Sequence, residues 1–144
     1  MKRLALVAML GMGLAGFVHA EVDADQVTYY RQSIFGVVSG QMGVLSGMAK
    51  GDIAFDADKA KLAAERLNMM AIASSETFID GTYESSNVKT AINRDRADFD
   101  KKMTAFQTEA AAMVDAAADL KTLRPQLGKL GGTCKSCHDV YKAD

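Results

Sequence analysis

The feature that most constrains this chain is the pentapeptide Cys134-Lys135-Ser136-Cys137-His138, which lies six residues from the C-terminus. Two thiols three residues apart are neighbours on one helical turn, and an imidazole follows the second thiol directly. This spacing lets a helix hold a haem through two thioether bonds while His138 ligates the iron. We therefore predict one covalently bound haem c per chain, attached to the last helix of the fold.

Three other uses of two neighbouring cysteines are open. A thioredoxin-like redox pair would need alternating strands and helices, a pattern that this chain lacks. A structural zinc site would need four ligands, and the chain offers two Cys and two His residues, of which His19 lies in the N-terminal segment described next. A disulfide between Cys134 and Cys137 would close a loop too short to stabilise the fold much. The spacing favours haem over all three.

Residues 1–20 have the pattern of a secretory signal peptide. Lys2 and Arg3 precede an apolar run over residues 4–18, and Val18-His19-Ala20 supplies small residues for a cleavage site. We predict cleavage after Ala20 and export to the periplasm, and an uncleaved membrane anchor is the alternative. No later stretch approaches the roughly 20 uninterrupted apolar residues that a membrane span requires. Residues 21–144 are therefore predicted to form one domain outside the membrane.

Removal of residues 1–20 changes both the set of side chains that could ligate a haem iron and the net charge of the chain. His19 leaves with the signal peptide, so His138 becomes the only histidine and the haem cannot have two histidine ligands. The loss of Lys2 and Arg3 lowers the formal net charge from −1 to −3, and haem propionates would lower it further. This negative charge argues against nucleic acid as a partner, because domains that bind nucleic acid usually carry a basic surplus.

The residue pattern predicts an all-α protein, because there is one proline in 144 residues and no long alternation of apolar and polar residues. We predict an antiparallel four-helix bundle with the haem on the C-terminal helix. The predicted helices run over about 25–50, from 56 or 58 to 74, over about 90–118, and from about 122 with Pro125 in the first turn. The polar segment 75–90 is predicted to be the longest loop, in which Phe78 packs on the core or on the haem edge.

The first predicted helix has three different faces. The inward stripe contains Val27, Tyr30, Ile34, Val38, Leu45 and Met48. Arg31, Phe35 and Met42 share a shoulder beside this stripe and could line one wall of a pocket. The opposite face carries Gly36, Gly40, Gly43 and Gly47. Because each glycine costs a helix up to about 1 kcal/mol relative to alanine, this face indicates either close approach of another helix or plain exposure to solvent.

The other three helices carry inward stripes as well. In the second helix the stripe is Ala60, Ala63, Ala64, Leu67, Met70 and Ala71. In the third helix it is Ile92, Phe99, Met103, Phe106, Ala110, Met113, Val114 and Ala117. In the fourth helix it is Leu123, Leu127, Leu130, Cys134, Cys137 and Tyr141, with His138 on the flank. Leu62 and Met69 point away from the second stripe. Together with the glycine face they indicate a second apolar surface, so we predict a homodimer through the first two helices. The mixed charges between Arg94 and Lys102 indicate solvated surface or, alternatively, docking of redox partners.

The position of the haem motif limits the second ligand of the iron. Only six residues follow His138, so an earlier helix has to cover the opposite face of the haem, and the shoulder of the first helix is the best candidate. A signal peptide, four helices and a C-terminal Cys-x-x-Cys-His motif resemble the cytochrome c′ family, and this resemblance covers essentially all of residues 21–144.

Particular residues carry the resemblance. Tyr30-Arg31-Gln32 resembles the family's Tyr-Arg pair, which implies that Arg31 lies near a haem propionate and that Phe35, four residues later, covers the vacant sixth position of the iron. Phe78-Ile-Asp-Gly-Thr82 resembles the family's Phe before a Gly-Thr turn, which implies that this ring packs on the haem. His138-Asp139-Val140-Tyr141-Lys142 resembles the family's final motif, which implies that Tyr141 contacts the haem and that Lys142 brings a cation to the proximal side.

The resemblance implies a periplasmic protein with five-coordinate iron that binds NO or CO. The alternative is an electron carrier of the cytochrome c556 type with a methionine ligand, for which Met42 is the candidate, although it lies about 10 Å beyond Phe35 along the helix. Its redox partner is not identified by the sequence. An enzyme such as a peroxidase is disfavoured, because residues 21–144 contain no second histidine to act as acid or base.

Overall fold

Four α-helices form the antiparallel bundle that the sequence predicts. In the computed structural model, which describes residues 22–84 and 86–143, they are α1 (Ala24–Lys50), α2 (Ala57–Ser74), α3 (Arg96–Ala116) and α4 (Leu120–Tyr141). Two short 3-10 helices, Ser75–Thr77 and Thr90–Asn93, lie in the connection between α2 and α3. Within these described ranges there is no strand and no helix long and apolar enough to cross a membrane. The predicted signal peptide lies outside the described residues.

Each helix begins at an aspartate whose carboxylate accepts hydrogen bonds from the first free N–H groups of the helix. The four capping residues are Asp23, Asp56, Asp95 and Asp119. Such a cap satisfies donors that the helix itself cannot pair. The predicted start of α2 at Asp56 is confirmed, whereas α1 begins with Asp23 as its cap, two residues before the predicted Asp25. The predicted end of α1 at Lys50 is also confirmed, because Gly51 adopts a left-handed conformation with φ of 89°.

The predicted starts of α3 and α4 were wrong. α3 begins at Arg96, since Asp95 caps it, and the preceding residues Thr90–Asn93 form a separate 3-10 helix that buries Ile92 completely. α4 begins at Leu120, since the carboxylate of Asp119 accepts from the N–H groups of Lys121 and Thr122. Pro125 is therefore inside α4 rather than in its first turn, and it cannot donate a backbone hydrogen bond to the carbonyl four residues earlier.

The predicted apolar stripes meet in one core. The largest fully buried apolar side chains are Leu45, Met48, Leu67, Ile92, Phe99, Met113, Leu123 and Leu130. Tyr30 was wrongly placed in the inward stripe, because its side chain is 55% exposed. Thr28 and Arg31 are buried instead, since the Thr28 hydroxyl and the Arg31 guanidinium both donate to the carbonyl of Thr82 in the α2–α3 connection. α1 thus turns a polar strip toward that connection.

No helix among the described residues packs against the glycine face of α1. Among the described residues, a Cβ added at Gly36, Gly40 or Gly43 would meet no atom within 4 Å apart from its chain neighbours and the nearby backbone of α1 itself. Gly47 differs, because a Cβ there would lie 2.7 Å from Cδ1 of Ile53 in the turn after α1. Within the described residues, the approach at Gly47 is made by a turn side chain and not by another helix, and the remaining three glycines lie on an open surface.

Candidate functional site

One cavity of about 540 Å³ contains every residue that the sequence predicts to contact the cofactor. These residues are Arg31, Phe35, Phe78, Cys134, Cys137, His138, Tyr141 and Lys142. The volume lies within the range of about 300–1,000 Å³ that is usual for sites of small molecules and cofactors. α1, α3, α4 and the connection between α2 and α3 all contribute walls, so residues more than 100 positions apart in sequence come together around one space.

Cys134 and Cys137 lie on the cavity side of α4 as free thiols. Burial raises the pKa of both thiols, so they are neutral groups in an apolar wall rather than the thiolates of a redox pair. The described residues contain no group of three or more His, Cys, Asp or Glu side chains that could hold a metal ion. The disulfide, redox and zinc alternatives therefore lose support, and two adjacent thiols beside an apolar cavity fit thioether attachment of a haem.

His138 follows the second thiol and lies at the rim of the same cavity. Partial burial of the imidazole lowers its pKa, the positive charge of Lys142 lowers it further, and Asp139 opposes both effects. The net shift favours the neutral ring, which is the form that ligates metals. His138 is thus available as an iron ligand at and above neutral pH.

Aromatic rings from α1, from α3 and from the connection between α2 and α3 form one wall of the cavity. The ring of Phe35 lies edge-on to Phe78 with centroids 6.1 Å apart and is stacked on Phe106 at 6.5 Å. Phe78 also packs on Phe99 at 4.7 Å and is 8% exposed, which confirms that it belongs to the core. It lines the cavity as well, and its packing on the haem edge stays a prediction. Met42 lines the cavity too, which keeps it available as an alternative ligand.

Arg31 is a buried cation that pairs with no carboxylate of the described residues. Its Nε and Nη2 donate to the carbonyl of Thr77 at 3.2 and 2.7 Å, and Nη2 also donates to the Thr82 hydroxyl at 2.7 Å. Nη1 donates to the Thr82 carbonyl and to Ser86 Oγ, both at 3.3 Å. Burial lowers the pKa of Arg31, but a guanidinium keeps its charge in proteins. Arg31 therefore fastens the α2–α3 connection over the cavity.

Sequence reasoning missed the contacts that hold the end of α4. The Tyr141 hydroxyl donates to Asp98 Oδ2 at 2.8 Å, and Lys102, which lines the cavity, lies 3.6 Å from the same carboxylate oxygen. Val88 and Lys142 form an antiparallel bridge. The position of Tyr141 in an apolar stripe indicates that its hydroxyl has a partner in the protein, because a buried hydroxyl needs one. Periodicity could not identify that partner, since it lies 43 residues away.

Known proteins with similar sequences and structures were compared with this chain. The family model described as Cytochrome C′ matches residues 26–142. The cytochrome c′ of Halomonas halodenitrificans is 35% identical over 131 residues, which cover 85% of this chain and 99% of that protein.

Two solved structures show the same arrangement of helices. Cytochrome c prime from Shewanella frigidimarina has a TM-score of 0.82 and 35% identity, covering 86% of this chain and 99% of that one. The nitric oxide complex of a variant of cytochrome c prime from Alcaligenes xylosoxidans has a TM-score of 0.80 and 30% identity, covering 85% and 98%. With its bundle, its two cavity-facing thiols and these matches over most of its length, the chain belongs to the cytochrome c′ family and binds haem c covalently.

Proposed function

We propose that this protein binds NO and CO at a five-coordinate haem iron in the periplasm, after removal of residues 1–20. The observation that carries the proposal is the hydrocarbon wall of Phe35, Phe78 and Phe106, because none of these rings can ligate iron or donate a classical hydrogen bond. Small neutral ligands such as NO and CO do not need a donor at the iron, whereas bound O2 is stabilised by one. The solved nitric oxide complex of a related protein supports this choice of ligand.

Different residues of the cavity have different roles in binding the haem. Cys134 and Cys137 form the thioethers, and His138 is the iron ligand. Phe35 covers the opposite face of the haem, while Phe78 and Tyr141 pack against it. Arg31 and Lys142 supply positive charge, for a propionate and for the proximal side respectively. Because all N–H groups of Arg31 already donate to protein oxygens, a propionate would share them with Thr82 or Ser86.

The residues that line the cavity argue against peroxidase activity. Cleavage of an O–O bond needs an acid–base group beside the iron, and histidine is the usual one. His138 is the only histidine in residues 21–144, and the aromatic wall offers no substitute. We therefore propose a binding protein rather than an enzyme.

A second candidate function is electron transfer by six-coordinate haem of the cytochrome c556 type. Met42 favours it, because its thioether lines the cavity on the same helix as Phe35. A sulfur ligand would close the iron to gases and leave a carrier of single electrons. Met42 would have to reach iron from about 10 Å further along α1, which makes this the weaker candidate.

Absorption and electron paramagnetic resonance spectra of the native haem protein separate the two functions. We expect high-spin resting iron, and we expect the ferrous form to change its spectrum with both CO and NO. A Met42→Leu variant is the matched control, since it removes the sulfur and keeps an apolar side chain of similar size. The contrary result would be low-spin iron whose spectrum does not change with CO or NO, together with high-spin iron in Met42→Leu. The electron-carrier function would then replace our proposal.

We also propose that two copies of the chain associate through α1 and α2. Leu62, Met69 and Ile72 of α2 and Val37 of α1 are exposed apolar residues, with Met69 63% exposed. A Met69→Lys variant should shift the protein from dimer to monomer in sedimentation experiments, because the charge would be buried in the interface. Ile79→Lys, outside both helices, is the control. A native protein that is monomeric at all concentrations would contradict the proposed interface.

A further inference from the structure

Tyr141 lies three residues after His138, and contacts of its side chain and its backbone hold it in place. Its hydroxyl donates its one proton to Asp98 Oδ2 at 2.8 Å, and the carbonyl oxygen of Asp95 lies 3.2 Å from the same hydroxyl oxygen. Its ring lies edge-on to Phe99 at 5.3 Å. Its own carbonyl accepts from the N–H of Lys89 at 2.8 Å. Tyr141 is 4% exposed, whereas the Asp98 side chain is 38% exposed, so the hydroxyl–carboxylate bond is buried on the tyrosine side and partly open to water on the carboxylate side. A hydrogen bond to a charged carboxylate is stronger than one between neutral groups.

The backbone after Tyr141 is fastened from the opposite side. The N–H of Ala143 donates to the carbonyl of Asn87 at 2.7 Å, and Val88 and Lys142 form the antiparallel bridge. The N–H of Lys142 donates back to the carbonyl of His138 at 3.1 Å. The last turn of α4, which carries His138, is therefore held between α3 and residues 87–89.

The imidazole of His138 itself forms no hydrogen bond with any of the described residues. Histidines that ligate metals are usually oriented by a hydrogen bond from the second ring nitrogen to a protein group. In the described part of this chain, the backbone of the last turn of α4 fixes the position of His138 and the direction of its Cα–Cβ bond, and these depend on whatever fixes that turn.

We propose that Asp98 and Tyr141 are positioning residues that set where the last turn of α4 places His138 relative to the haem iron. This inference rests on the ligand role given to His138 in the proposed function. The hydroxyl–carboxylate bond ties the helical turn of the ligand to α3, and Lys102 lies 3.6 Å from the same carboxylate oxygen and supplies a positive neighbour. Burial, together with Asp98, raises the pKa of Tyr141 to about 12, so the hydroxyl stays a donor over the physiological range.

Resonance Raman spectroscopy of the ferrous haem protein tests the proposal, because the iron–histidine stretching band reports the strength and direction of that bond. Tyr141→Phe removes only the hydroxyl, and Asp98→Ala removes its acceptor. We expect both variants to shift and broaden the band. The double variant should show the same shift as Asp98→Ala alone, because the hydroxyl has lost its acceptor already in that single variant. Asp98→Ala also removes the carboxylate beside Lys102, whereas Tyr141→Phe does not.

The matched control is Asp100→Ala. Asp100 lies on the same helix as Asp98 but is exposed and pairs with Arg96 at 2.8 Å, so its loss should leave the band unchanged. If Asp98→Ala did not fold, Asp98→Asn would replace it, and Tyr141→Phe would still decide the matter. A lower melting temperature with an unchanged band in Tyr141→Phe would overturn the proposal, since the pair would then serve stability alone. Failure of the proposed function is a separate result: the unmodified protein would lack the band, and His138→Ala would not change its spectrum.

Discussion

Replacement of both Cys134 and Cys137 by serine should abolish covalent haem attachment completely. A serine hydroxyl is isosteric with the thiol but does not form a thioether with the porphyrin, so the variant keeps the shape of the α4 wall and loses both bonds. The two thiols are the only cysteines of the chain, and both line the cavity. No other side chain could therefore take over the linkage. The measurement is haem staining after electrophoresis under denaturing conditions, in which only covalently bound haem stays with the protein.

Two further variants separate attachment from ligation. Ser136→Ala, between the two thiols and exposed, should stain like the native protein. His138→Ala should also keep its haem under denaturing conditions, because both thioethers survive, while its iron loses the histidine ligand and its spectrum changes. Haem that stayed bound to the double serine variant after denaturation would contradict the assignment of the linkage.

Replacement of Phe35 by alanine should accelerate capture of CO and NO by about 5–150-fold. The ring of Phe35 contacts Phe78 and Phe106, and it has to leave both before a ligand can occupy its place. Each aromatic pair contributes about 0.5–1.5 kcal/mol, so the two contacts add about 1–3 kcal/mol to the barrier, which corresponds to that acceleration. Alanine removes the ring and with it the cost of moving it.

Stopped-flow mixing of the ferrous protein with CO and NO measures this effect directly. Phe55→Ala is the control, because Phe55 is partly buried against the core but does not line the cavity. Its association rates should equal those of the native protein even if its melting temperature falls. Association rates of Phe35→Ala within twofold of the native values would show that Phe35 does not control access to the iron.

The predictions from sequence succeeded where they depended on residues close together in the chain. The haem motif lies within five residues, and the stripes of α2 and of most of α1 follow the helical period, so a bundle with Cys134 and Cys137 facing inward could be derived directly. The errors at Tyr30 and at the start of α4 came from the same reasoning. Periodicity assigns Tyr30 to the inward stripe, but it cannot show that Thr28 and Arg31 have polar partners in a distant connection.

The sequence by itself determined the cofactor and the architecture, because two thiols and one histidine at fixed spacing and four amphipathic segments are local properties of the chain. Only the tertiary structure decided that Arg31 fastens the α2–α3 connection, that Phe35 lies between two other rings, and that Asp98 holds the turn of His138 through Tyr141. These contacts join residues between 43 and 71 positions apart. They depend on which side chains the packed helices bring within hydrogen-bond or ring-contact distance, and no repeating pattern along the chain encodes that distance.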